Sequence, residues 1–297
     1  MFAFNALVAA LGAASALAMP LKRADVEITD EVVLNFALTL EHLENAFYSQ
    51  GLAKLDAAAF AKAGFAPWVR NRFVQIGQHE ATHVQELKSL LGANATQPCN
   101  YTFPYTDAKS FAALSAALEG TGTSAYLGAA QLITNKDILT AAGSILAVEA
   151  RHDAWVASAI EKEAPFNGPN DTPLPVNGVF SIASQFITSC PSTNPALPVS
   201  PLPAFKITTP NPTANKTVSL QFSLPSSASA LNVAWFYGLS VVHTAIDTSK
   251  NTTVVPPNLA GTAYAAVVST DSASPSNQTL LTGVAIVEFP NPSAPES

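Results

Sequence analysis

The chain has 297 residues, 48% of them apolar and only 12% charged, with 14 Lys+Arg against 21 Asp+Glu and a net charge of −7. At roughly 100–200 residues per domain that length allows two domains and a core that needs no staples. The composition excludes a charge-driven disordered segment, and the lack of basic clusters argues against nucleic acid as a partner. No apolar run of about 20 residues follows the N-terminal stretch, so no membrane-spanning helix is expected in the mature protein.

Residues 2–18 are small and apolar and end in Ala16-Leu17-Ala18, the core and cleavage pattern of a secretory signal, although no Lys or Arg precedes them. Lys22-Arg23 reads as a dibasic processing site, so residues 1–23 are expected to be removed. Six N-x-[ST] acceptors, at Asn94, Asn100, Asn170, Asn215, Asn251 and Asn277, fall in segments that read as loops or loop edges. A secreted, N-glycosylated protein is therefore expected. In an oxidising compartment Cys99 and Cys190 read as one bridge, with two free buried thiols as the alternative.

Residues 24–190 read as helical. A first helix is expected over 30–50, with Gly51 as its stop, and a second from Pro67 to about residue 91, stopped by Gly92. A third begins at the N-cap Asp107 and runs to about residue 134, and a fourth runs from about residue 137 to before Pro165. Their lengths and connections suggest an antiparallel four-helix bundle, and a short fifth helix is expected over 179–188. Residues 191–203 hold five prolines and read as a stiff linker. Residues 204–297 are richer in Ser, Thr, Pro and Asn, with β-branched runs at 205–208, 217–222, 232–237, 264–269 and 282–289. They suggest a small β-sandwich, so the fold class is α+β and multidomain. The closing residues are polar and form no hydrophobic anchor.

The helical half carries two Glu-x-x-His motifs, Glu80-x-x-His83 on the second helix and Glu149-x-x-His152 on the fourth. Spacing i, i+3 sets both side chains of a motif on one face, and in each case that face is apolar, with Val84 and Leu87 or with Ile145, Val148 and Val156. The third helix offers one carboxylate for the same interior, Glu119, and the first offers Glu41 and Glu44. Glu41 precedes Tyr48 by seven residues, as Glu119 precedes Tyr126. The two helical hairpins thus look like two copies of one motif, a register that favours Glu41. Glu44 remains open as a spare ligand or a surface residue. Four carboxylates in a desolvated core repel one another, and no Lys or Arg shares their faces. Two divalent cations would balance them, and mixed carboxylate–imidazole ligation suits iron, manganese or zinc more than calcium or magnesium.

A Glu from each of two helices plus Glu-x-x-His from each of the other two resembles the ferritin-like dimetal carboxylate proteins. More narrowly, the run from Leu40 to Tyr48, the Glu80 motif and Val148-Glu149-Ala150-Arg151-His152 resemble secreted fungal ferritin-like proteins, often labelled stress-response or desiccation-related. The resemblance covers about residues 29–165. It implies that Glu80 and Glu149 bridge two ions, iron or manganese, with Glu41 and His83 on one and Glu119 and His152 on the other. It implies redox chemistry on the metal, dioxygen or peroxide. The other reading is a non-catalytic structural or surface glycoprotein with a vestigial site. In either reading the β half is a candidate for cell-wall or matrix contacts.

Several residues carry plainer expectations. Tyr48 and Tyr126 serve as site hydrogen-bond donors or as ordinary core aromatics. His42 and His79 are expected to face away from the site and His243 to face solvent, and Trp68, Trp155 and Trp235 to anchor cores. The run Gly120-Thr121-Gly122-Thr123 is a poor helical sequence, expected to bend the third helix or to form a π-bulge.

Overall fold

The computed structural model describes residues 27–163, 165–224, 231–269 and 279–289. The expected leader, the acceptor Asn277 and the closing residues lie outside that range.

Four long helices form the first half: α1 (Asp30–Lys54), α3 (Pro67–Leu91), α4 (Ala108–Ala129) and α5 (Lys136–Trp155), with a short α2 (Ala57–Lys62) between the first two. Two starts carry the expected chemistry: Pro67 sits in the first turn of α3, and Asp107 forms a capping box with Ser110 on α4. The Thr29 side chain caps α1 and Asn135 caps α5. Gly92 ends α3 with φ +58°, where a glycine is favoured. Gly51 does not end α1. A Cβ there would lie 2.2 Å from the Phe111 ring, so this glycine lets α1 approach α4. The run after Glu119 forms no π-bulge; α4 is continuous α-helix through it, and the π-helical turn occurs instead at the end of α5, over Val156–Glu161.

The closest helix pairings are α1 with α3 and α4 with α5, the two hairpins of the internal repeat. A short α6 (Val176–Ala183) follows. The expected fifth helix ends there, and the β-branched Ile187 and Thr188 belong instead to strand β2 (Ile187–Ser189), antiparallel to β1 (Asn100–Tyr101). The Cys99–Cys190 disulfide closes that ribbon. The Pro-rich segment after it lies along α6, with Ser200 N–H donating to Asn177 and Leu202 N–H to Ser181.

The second half holds two antiparallel sheets. One has the order β3 (Phe205–Ile207), β4 (Thr217–Phe222), β7 (Thr252–Val254); the other has the order β6 (Ser240–Ala245), β5 (Asn232–Tyr237), β8 (Gly261–Val268), β9 (Ala285–Phe289). Strands β6 and β7 were not expected; β6 follows β5 through a tight turn at Gly238-Leu239, with Gly238 at φ +54°. Alternation along the central strands explains the layering. Val233, Trp235, Ala265 and Val267 face the small sheet through Phe205, Val218 and Leu220. Ala234, Phe236, Tyr264, Ala266, Val268 and Ile286 join the same apolar cluster as the bundle residues Phe47, Phe111, Leu114 and Leu118. The central strands β5 and β8 are therefore buried on both faces, which is why they read as nearly unbroken apolar runs. Among the described residues no helix is long and apolar enough to cross a membrane.

Candidate metal centre

The i, i+3 spacing places Glu80 and His83 on one inner face of α3, and Glu149 and His152 on the inner face of α5. Glu41 enters from α1 and Glu119 from α4. All four carboxylates are fully buried, and both imidazoles are 6% exposed. They converge as two overlapping groups: Glu41, Glu80, His83 and Glu149, and Glu80, Glu119, Glu149 and His152, with the donor atoms of each group within 4.8 Å of one another. Glu80 and Glu149 belong to both. His83 Nδ1 lies 3.0 Å from Glu80, 3.3 Å from Glu41 and 3.4 Å from Glu149. His152 Nδ1 lies 3.0 Å from Glu119 and 3.3 Å from Glu80.

The two tyrosines cross between the hairpins. Tyr48 on α1 donates to Glu119 on α4 and hydrogen-bonds Ser115 at 2.7 Å, while Tyr126 on α4 donates to Glu41 on α1 at 2.5 Å. Each Glu-x6-Tyr copy thus orients the carboxylate of the other copy. These residues are hydrogen-bond donors to the centre, not simply core aromatics.

Electrostatics shows what the cluster lacks. Burial, together with the neighbouring carboxylates, raises Glu44, Glu80 and Glu149 well above the usual carboxyl range. Burial depresses the His83 imidazole, but contacts with Glu41 and Glu80 outweigh it and push the group up to about 10. Among the described residues the ion-pair partners of these carboxylates are His83 and His152 alone. Glu41 Oε2, Glu80 Oε1 and both oxygens of Glu149 are buried without a hydrogen-bond donor among the described residues. Inward-facing carboxyl oxygens that lack a hydrogen-bond donor, beside imidazole nitrogens, form a donor set that fits a hard or borderline divalent cation once deprotonated.

Glu44 is buried, not on the surface, and does not belong to either group. A Cβ on Gly122 would lie 2.9 Å from Glu149 Oε2 and 3.0 Å from Glu44 Oε1, so this glycine leaves room for both carboxylates. The β half reaches the same helix: Tyr264 donates to the Gly120 carbonyl at 2.9 Å, and Ser124 donates to Tyr264. His42 is buried but turned away from the centre, bonding the Thr96 carbonyl, whereas exposed His79 does not face away: it bonds His152. Arg151 is exposed, His243 is half-buried, and Trp68 is 50% exposed with its ring edge against Trp155. Only Trp235 is a fully buried anchor. The pairing of His79 with His152 had no signal in the sequence, because it depends on how α3 and α5 are rotated against each other.

The helical part of the chain, with its buried Glu/His cluster, is a ferritin-like domain: residues 29–162 match the family model of that description. Over 180 residues the chain is 26% identical to Protein rds1 of Schizosaccharomyces pombe, a stretch covering 60% of this chain and 44% of that protein. The chain thus matches a little under half the length of that relative.

Proposed function

We propose that Glu41, Glu80, His83, Glu119, Glu149 and His152 hold two divalent ions, iron or manganese, with Glu80 and Glu149 shared between them. The carrying observation is the set of four buried carboxylate oxygens without a hydrogen-bond donor among the described residues. Two such ions supply one-electron redox chemistry toward dioxygen or peroxide. The chain's own residues hold the rest of the site in order. Tyr48 and Tyr126 orient Glu119 and Glu41 by hydrogen bonds, and the surrounding apolar cluster keeps bulk water from the carboxylates. The physiological role in this reading is oxidation of metal, or removal of dioxygen or peroxide, under stress.

The reading includes secretion and N-glycosylation. In its support, Asn94, Asn100, Asn170, Asn215 and Asn251 are all exposed. The outer sheet of the β half is free to meet wall or matrix material in this reading.

Dioxygen consumption tests the redox claim. Purified chain loaded anaerobically with ferrous ion is expected to consume dioxygen on exposure to air, faster than free ferrous ion, and Glu80→Ala is expected to abolish the excess. Loaded protein that consumes dioxygen no faster than buffer contradicts it.

A further inference from the structure

His152 meets the carboxylates through Nδ1, and its other ring nitrogen, Nε2, lies 2.9 Å from Nδ1 of His79. The two rings are nearly parallel, 20° apart in plane with centroids 5.1 Å apart. His79 is exposed on α3, one residue before Glu80. His83 also meets the carboxylates through Nδ1, but its Nε2 has no hydrogen-bond partner among the described residues. The two halves of the centre, otherwise alike, differ here.

A neutral imidazole has one N–H and one lone pair, and the hydrogen bond at one nitrogen decides which atom the other becomes. For Nδ1 of His152 to offer its lone pair inward, the proton must sit on Nε2 and needs an acceptor there. Nδ1 of His79 is placed to accept it, which leaves the His79 proton on Nε2, away from His152. Outer partners of this kind orient a ligating ring and raise its basicity, and removing one typically costs about 10–100-fold in metal affinity.

We propose that His79 is the positioning residue for His152, and that it makes the Glu119–His152 half the tighter of two unequal metal positions. The inference rests on the dimetal reading above. The alternative is a simple stacking contact between two rings.

Zinc, as a diamagnetic probe, separates these. Competition titrations of the full-length protein are expected to give two equivalents of unequal affinity for the wild type. His79→Ala should weaken the tighter equivalent by about 10–100-fold and leave the weaker one in place. His79→Asn, whose side-chain oxygen can accept in the place of Nδ1, should recover most of the loss. Long-range 1H–15N spectra of the zinc-loaded wild type should place the proton on His152 Nε2. Because His79 is exposed, the thermal midpoint of the metal-free protein should not change. Unchanged zinc affinity in His79→Ala, equal weakening of both equivalents, or failure of the Asn variant to recover any affinity overturns the positioning role while the dimetal reading stands. A wild type that takes up no metal overturns both.

Discussion

Gly122 shows how a single residue can set helix propensity against the needs of a site. In a helix interior, Ala is favoured over Gly by about 1 kcal/mol. Here the added methyl group would meet the carboxylates of Glu149 and Glu44 at 2.9 and 3.0 Å, and these can turn aside only by leaving their places. Gly122→Ala is therefore expected to leave thermal stability of the metal-free protein unchanged or slightly higher, while lowering metal affinity at least about tenfold, as disturbance around a ligand does. Isothermal titration beside a thermal scan checks both halves of that expectation. The sequence marked this run as unsuited to a helix. The Glu-x-x-His spacing, the lone carboxylate of the third helix and the Glu-x6-Tyr repeat pointed to the six buried Glu and His side chains that converge. What the sequence could not show was that Gly122 leaves room for two carboxylates, that Glu44 is buried, or that His79 reaches His152. Each depends on distances across helices, which periodicity along one helix does not encode.

Among the elements, the legible ones had strong local signals. Pro67, the cap at Asp107 and the stop at Gly92 are short-range features, and the helix boundaries fall where they point. Strands β1, β2 and β7 span two or three residues each and owe their existence to partners, so their own residues say little. The β1–β2 ribbon in particular is held by the bond between Cys99 and Cys190, 91 residues apart. Closing a loop of that length restricts the unfolded chain, and its loss typically costs about 2–4 kcal/mol. The Cys99→Ala, Cys190→Ala double variant is expected to lose stability in that range in denaturant unfolding. It should keep its metal-binding capacity, since neither cysteine belongs to the centre. An unchanged midpoint would mean that the ribbon is held by its packing alone.

For the whole molecule, the four-stranded sheet lies between the bundle and a smaller sheet, and Tyr264 reaches from it to the backbone beside Glu119. The centre is thus enclosed, and its charge state bears on the stability of the entire fold. Glu44, Glu80 and Glu149 bind protons more tightly folded than unfolded, so without metal their contribution to stability falls as pH rises above the ordinary carboxyl value of 4.5. His83, raised from 6.5 to about 10, acts in the same direction: its contribution is full below 6.5 and is lost as pH rises through 10. Metal binding requires the deprotonated forms and releases those protons. Chelator-treated protein is therefore expected to melt at a lower temperature at pH 8 than at pH 5.5. Metal should stabilise it more at the higher pH, with proton release visible in titrations run in buffers of different ionisation enthalpy. A metal-induced rise in melting temperature that shrinks with pH would contradict the charge balance drawn here.

The most direct measurement is the metal content of the purified full-length protein after loading with ferrous or manganous ion and removal of the excess. Two equivalents per chain are predicted, falling to one or none in both Glu149→Ala and His152→Ala. A folded wild-type chain that retains no metal, or a content of two that survives both substitutions, would contradict the account.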